Sequence, residues 1–292
     1  MKQKVKINFE GFWFPDPTDT INNRIEFRTR ETFRVLSKRY DLEIVDDPDF
    51  LIYSCFGDKK FLNYDCVRIF YTEENIRPNF SECDYSFSFD FPITDRNYRL
   101  PLYKLRDEFS QLTNNIIDKD TTKYTNRKFC NFIYSNGNAK ERIEFMNRLS
   151  KYKPVDSGGK TNNNLGFLVD NKIEWLTQYK FTIAFENVSY PGYTTEKISE
   201  PLVSKSIPIY WGNPEVYKDF NTKSFINCNE YNNFDEVIKR VIELDNDDDQ
   251  YLAMLREPAF VNDIENEYVN EDNIFKRFDK IFSDKHNIRR GE

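Results

Sequence analysis

The densest run of reactive side chains lies between Phe181 and Gly212, in FTIAFENVSYPGYTTEKISEPLVSKSIPIYWG. Asn187, Tyr193, Thr194, Thr195, Glu196 and Lys197 bring together an amide, a phenol, two hydroxyls, a carboxylate and an ammonium. An apolar run precedes them and a helical pattern begins near Thr194. The group therefore sits at a helix N-terminus, where free N–H groups and the helix dipole attract phosphate. Lys197 adds a mobile positive charge. Asn136, Asn138 and Arg142 form a second group, and a guanidinium on the first turns of a helix can grip phosphate bidentately. A third is Glu73 with Glu74, carboxylates just past an apolar run, where α/β domains present chemistry. Each group also has a plain reading as a capped helix or loop with solvated charges, and composition alone does not separate the two.

Positioning these groups takes a strand–loop–helix–strand repeat. Residues 181–185 and 207–211 read as strands flanking a helix, the repeat of an open α/β sheet that binds ligands at the carboxyl ends of its strands. Upstream, alternating Val5, Ile7 and Phe9 predict a first strand. A helix over 19–40 should turn Ile21, Ile25, Phe33, Val35 and Leu36 inward, and short strands follow near 42–45, 50–54 and 67–71. The polar stretch 105–126 reads as an interdomain connection. Beyond it come a strand over 128–134 and a helix from Ala139, for which Asn138 and Glu141 resemble a capping box. The loop Gly158-Gly159-Lys160 carries too little to claim a P-loop. Asn233 with Glu236 predicts another capped helix, and residues 246–249, despite a DxD pattern, read as a solvated turn between two helices. From Asn270 onward, Ile274, Phe275, Phe278, Ile281 and Phe282 predict a helix packed against the body.

With 292 residues, 27 Phe and 18 Tyr, the chain can fill two cores. Its net charge of −7 argues against a nucleic-acid partner, so an anionic ligand must be held by a few placed cations. The five cysteines, Cys55, Cys66, Cys83, Cys130 and Cys228, lack metal-ligand spacing and read as buried thiols of a reducing compartment. With His286 as the single histidine, a histidine triad or a His-rich metal site is excluded. No apolar segment approaches transmembrane length and the N-terminus lacks a signal-peptide pattern, which predicts a cytoplasmic protein with at most a peripheral membrane contact.

Order and spacing then add what composition does not. The blocks Phe70-Tyr71-Thr72-x-Glu74-Asn75, Asn136-x-Asn138-Ala139-x-x-Arg142, Phe185-Glu186-Asn187, Gly192-Tyr193-x-Thr195-Glu196-Lys197 and Ile207–Gly212 closely resemble the α-1,3/4-fucosyltransferase family, GDP-fucose-dependent enzymes of Lewis-antigen synthesis, and especially its bacterial members. The resemblance implies an α/β fold of two Rossmann-like domains facing a cleft, the GT-B glycosyltransferase arrangement. It implies an acceptor-binding domain over 1–120, a GDP-fucose-binding domain over 121–270, and a helical tail over 271–292. Fucose would pass with inversion to an oligosaccharide acceptor. The position of Glu74 is that of the catalytic base; Glu73 departs from the pattern, which has glycine there. Asn136, Asn138, Arg142, Asn187, Tyr193, Thr195, Glu196 and Lys197 fall at donor-site positions. Arg142 and Lys197 would stabilise the departing diphosphate, so no metal is required and a divalent cation is at most stimulatory. Two alternatives stay open: a transferase for another nucleotide sugar, and an inactive carbohydrate-binding relative.

Overall fold

Two of the apolar runs, Val67–Tyr71 and Tyr179–Phe185, are buried at every residue. Strands buried on both faces pair in parallel and need cover above and below. Both are inner strands of all-parallel sheets in the computed structural model, which describes residues 2–12 and 31–291. In chain order the elements are β1 (Gln3–Glu10), α1 (Glu31–Arg39), β2 (Tyr40–Ile44), β3 (Phe50–Tyr53), β4 (Val67–Tyr71), β5 (Tyr85–Ser88), β6 (Asn97–Arg99), α2 (Thr122–Thr125), β7 (Lys128–Phe132), α3 (Lys140–Leu149), β8 (Val155–Ser157), α4 (Lys172–Leu176), β9 (Tyr179–Phe185), α5 (Glu196–Val203), β10 (Ile207–Trp211), β11 (Ile226–Asn227), α6 (Phe234–Asn246), α7 (Asp248–Arg256) and α8 (Glu271–Phe282).

The chain divides into two units, Met1–Asp107 with Glu267–Glu292, and Glu108–Asn266. The first is built on a six-stranded sheet of order β2-β1-β3-β4-β5-β6. Side chains alternate across it with period two. Phe50 and Ile52 join a core completed by Leu36 and α8, whereas Leu51 and Tyr53 pack with Phe61, Cys66 and Cys83. Ile21 and Ile25 lie outside the described residues, as does the side chain of Phe33. The terminal helix is buried along the predicted stripe, Ile274, Phe275, Phe278, Ile281 and Phe282. Phe278 stacks on Phe87 at 4.3 Å. Burying each such side chain contributes roughly 1.5–3 kcal/mol, so α8 packs into this unit's core, as its periodicity predicts.

The second unit carries a five-stranded sheet of order β11-β10-β9-β7-β8. Chain order runs outward on one side from β7 to β8 and on the other from β9 through β10 to β11. The direction reverses between β7 and β9, and an open sheet has its ligand crevice at that switch point. The capping box expected at Asn138 is not formed. The Asn138 N–H is taken by Asn136 Oδ1 at 2.9 Å, and α3 starts after Ala139, which has no side-chain acceptor. The cap expected at α6 does form, with Asn233 Oδ1 accepting from Asp235 and Glu236 N–H at 3.0 and 3.1 Å. Asp247 caps α7 by accepting from Gln250 N–H at 3.0 Å, as a turn between two helices requires. All five thiols are free. Among the described residues no helix is long and apolar enough to cross a membrane.

Candidate active site

The loops after β7, β8 and β9 leave the carboxyl edge of the second sheet together and enclose a cavity of about 450 Å³. Asn136, Arg142, Asn187, Glu196 and Lys197 line it, with Tyr134, the Gly158-Gly159-Lys160 loop and Lys172 among the other walls. Asn138, Tyr193 and Thr195 do not line it: Asn138 is exposed on the loop before α3, and Tyr193 and Thr195 are buried behind the wall.

Tyr134 locks β7 to β9, its hydroxyl donating to Ile183 O and accepting from Phe185 N–H, both at 2.8 Å. Burial pushes its phenol up to about 12, against the pull of Arg142 and Lys197. The loop after β8 lies hard against this tyrosine. A Cβ on Gly159 would stand 2.3 Å from Tyr134 O, so only glycine permits the approach. Arg142 is more deeply placed than an early-helix arginine usually is, being only 1 % exposed. Its guanidinium lies 3.7 Å over the Tyr134 ring. It donates to Phe185 O at 2.7 Å, Asn187 Oδ1 at 3.0 Å and Asn136 O at 3.3 Å. Its Nε–H is buried with no partner among the described residues. Arg142 thus clamps the ends of β7 and β9 and keeps one donor in reserve.

The N-terminus of α5 differs from the expected open phosphate site. Thr195 is the cap, and its own N–H is taken at 2.7 Å by the wholly buried Glu186 carboxylate. Thr195 Oγ1 also reaches Glu186, at 2.8 and 3.0 Å. A buried anion therefore already occupies the end of the helix, and positive charge enters the cavity by side chain. Lys197 Nζ lies 3.0 Å from Thr195 Oγ1, 3.2 Å from Glu196 Oε1 and 3.4 Å from Glu186 Oε2. Burial by itself lowers the Lys197 pKa, but Glu196 and Glu186 outweigh it and hold the ammonium above its ordinary value. Burial also pushes Glu186 up from the carboxylate range, against the pull of Lys197 and the Thr195 donors. Gly212 makes the arrangement possible, since a Cβ there would stand 2.4 Å from Glu186 Cγ. Among the described residues no cluster of three or more His, Cys, Asp or Glu is arranged to hold a metal ion.

In the first unit, Glu74 is exposed just past β4. Thr72 Oγ1 fixes the turn, accepting from Glu74 N–H at 3.0 Å and donating to Glu74 O at 3.1 Å. The neighbouring Glu73 instead accepts from Tyr71 Oη at 2.8 Å. Sequence reasoning missed Tyr134, Lys160, Lys172 and Glu186 as cavity-forming or cavity-supporting residues. The adjacent glycines before Lys160 were the available signal for one of them.

Comparison with known proteins fits this geometry. The family model described as the alpha-(1,3)-fucosyltransferase FucT N-terminal domain matches residues 12–106, and that described as glycosyltransferase family 10 (fucosyltransferase) C-term matches residues 122–272. An alpha-(1,3)-fucosyltransferase FucT from Helicobacter pylori is 37% identical over 270 residues, which is 80% of this chain and 56% of the relative. The chain thus spans little more than half of that protein. A crystal structure of an alpha1,3-fucosyltransferase with GDP-fucose superposes with a TM-score of 0.81 at 31% identity, covering 97% of this chain and 92% of the other. A DNA-modifying beta-glucosyltransferase shares the fold alone, with a TM-score of 0.53 at 14% identity over 96% of this chain and 100% of the other. The two parallel sheets are accordingly Rossmann-like domains of the GT-B type, and the chain belongs to glycosyltransferase family 10, the fucosyltransferases.

Proposed function

We propose that the chain transfers L-fucose, with inversion, from GDP-β-L-fucose to a hydroxyl of GlcNAc or glucose in an N-acetyllactosamine-type or related glycan. The new bond would be α-1,3 or α-1,4. The observation that carries the reading is that Arg142 and Lys197 line one cavity of about 450 Å³ at the sheet's switch point. A pocket of that volume suits a nucleotide-sized ligand. Displacement at an acetal carbon develops oxocarbenium character while a diphosphate departs. Arg142 and Lys197 supply positive charge at the leaving oxygens, and the Arg142 Nε–H is a donor still to be used. Glu74, open to solvent, is the base that accepts the proton of the attacking hydroxyl. This residue set asks for no metal. The structure carrying GDP-fucose in a relative supports the choice of donor.

Calorimetry with GDP and UDP tests the donor. GDP should bind at least about tenfold more tightly, since hydrogen-bonding sites discriminate strongly against the wrong partner. Equal affinities would sink the assignment and favour another nucleotide sugar. A glycan array probed with GDP-fucose then fixes acceptor and linkage, and donor binding without any transfer would mark an inactive relative.

A further inference from the structure

The reaction as written gives no task to Glu186, although its carboxylate is completely buried beside the cavity cations. We propose that Glu186 is a positioning residue, holding the Lys197 ammonium in the place where the departing diphosphate needs it. The inference rests on reading the cavity as the donor site. Its geometric basis is a chain of three contacts. Gly212 lets the Glu186 stem pack flat against β10, and Glu186 N–H donates to Trp211 O at 2.8 Å. The carboxylate then takes both the N–H and the hydroxyl of Thr195, which fixes the first turn of α5. Lys197, one residue into that turn, lies against Thr195 Oγ1 and within 3.4 Å of Glu186.

Stability alone gives a poor account of this carboxylate. Burying an ion pair seldom gains over well-packed apolar side chains of the same volume. Here the pair's cation is also a wall of the ligand cavity. Glu196 does not substitute for Glu186. It lines the cavity beside the same ammonium, whereas Glu186 stays behind the wall, shielded from any ligand. One carboxylate is thus available to the ligand and the other is reserved for the lysine. A cation so anchored needs little reorganisation when charge develops on the leaving oxygen, which is the condition under which electrostatic catalysis is strongest.

The test is a double-mutant cycle on kcat and donor KM, using GDP-fucose and a reactive acceptor, with Glu186→Gln, Lys197→Ala and the double variant. Glutamine still accepts from Thr195 but cannot pair with the ammonium. Glu186→Gln should lower kcat roughly 10- to 100-fold, the scale for a misplaced catalytic group, and change donor KM by less than about threefold. In the Lys197→Ala background the same substitution should change kcat by less than about twofold. An equal loss in both backgrounds, or no loss in either, overturns the proposal. If Glu186→Gln does not fold, Glu186→Asp carries the same comparison, because it keeps the charge one methylene short of the lysine. A wild-type chain that turns over no GDP-fucose would instead refute the donor reading itself. A Lys197→Ala loss without a Glu186→Gln loss refutes only the positioning role.

Discussion

Arg142→Lys separates the two tasks that the guanidinium combines, holding the fold and meeting the donor. Lysine keeps the positive charge but not the planar fork that reaches Phe185 O, Asn187 Oδ1 and Asn136 O together. A single ammonium on a flexible stem satisfies one of these acceptors well. The other two are left short of a donor, at about 1–2 kcal/mol each, and the stacking on Tyr134 is lost with the planar group. The expected destabilisation is therefore about 2–4 kcal/mol. For a unit of the size of Glu108–Asn266, each kcal/mol moves Tm by roughly 2–4 °C. Thermal unfolding should thus fall by about 5–15 °C. GDP affinity, read by calorimetry well below the new Tm, should weaken by about tenfold or more through loss of the Nε–H donor and the fork. A lowered Tm with unchanged GDP affinity would make Arg142 a structural clamp only. An unchanged Tm would refute the claim that its three acceptors depend on it.

Two further outcomes follow from the same geometry. Glu74→Gln should leave GDP-fucose affinity near wild type and cut transfer by about 10²-fold or more at saturating substrates; Glu73→Gln, whose carboxylate accepts from the Tyr71 hydroxyl, should do far less, and the reverse ranking would remove Glu74 from the mechanism. Lys205 is held by burial at about 8, below its ordinary 10.5, so the folded chain sheds a proton before the unfolded one. Its contribution to stability is therefore unfavourable below about pH 8 and is relieved as pH rises toward 10.5. Lys205→Met should remove that alkaline gain in urea midpoints measured at pH 7 and 10, and an unchanged pH slope would show that Lys205 does not cause it.

The reactive groups were legible because their evidence is local. Lys197 stands beside a cap threonine, Arg142 follows a turn, and Ile274, Phe275, Phe278, Ile281 and Phe282 repeat at helical spacing. What stayed hidden depends on contacts between distant segments. The helix periodicity of α8 does not say that Phe278 will stack on Phe87 and join the first sheet. Tyr134 reads as one more core aromatic until its hydroxyl is seen bridging β7 to β9. The N-terminus of α5 reads as a phosphate site because a sequence shows the free N–H groups of a helix but not a carboxylate arriving from the preceding strand. Asn138 does not cap because α3 starts one residue later, with Ala139 at the cap position and the Asn138 N–H already held by Asn136.

Occupation of that helix end changes how a chain of net charge −7 can hold a diphosphate. Around the cavity, Arg142, Lys160, Lys172 and Lys197 stand with Glu196, and Glu186 lies behind the wall against Lys197, so cations outnumber carboxylates only locally. Lys172 and Lys197 are already paired with the carboxylates of Glu200 and Glu186, so much of the gain comes from short contacts made by groups already in place. Lysine normally gives up much rotamer freedom when it grips a ligand. Here the Thr195, Glu186 and Glu196 contacts fix that freedom when the chain folds. The two cations are pre-ordered in different ways, Arg142 through backbone carbonyls and an aromatic face, Lys197 through carboxylates. That difference has a consequence for salt. Ordering by buried carboxylates is little screened, so added salt should weaken the ligand's own ionic contacts while leaving the placement of both cations unchanged.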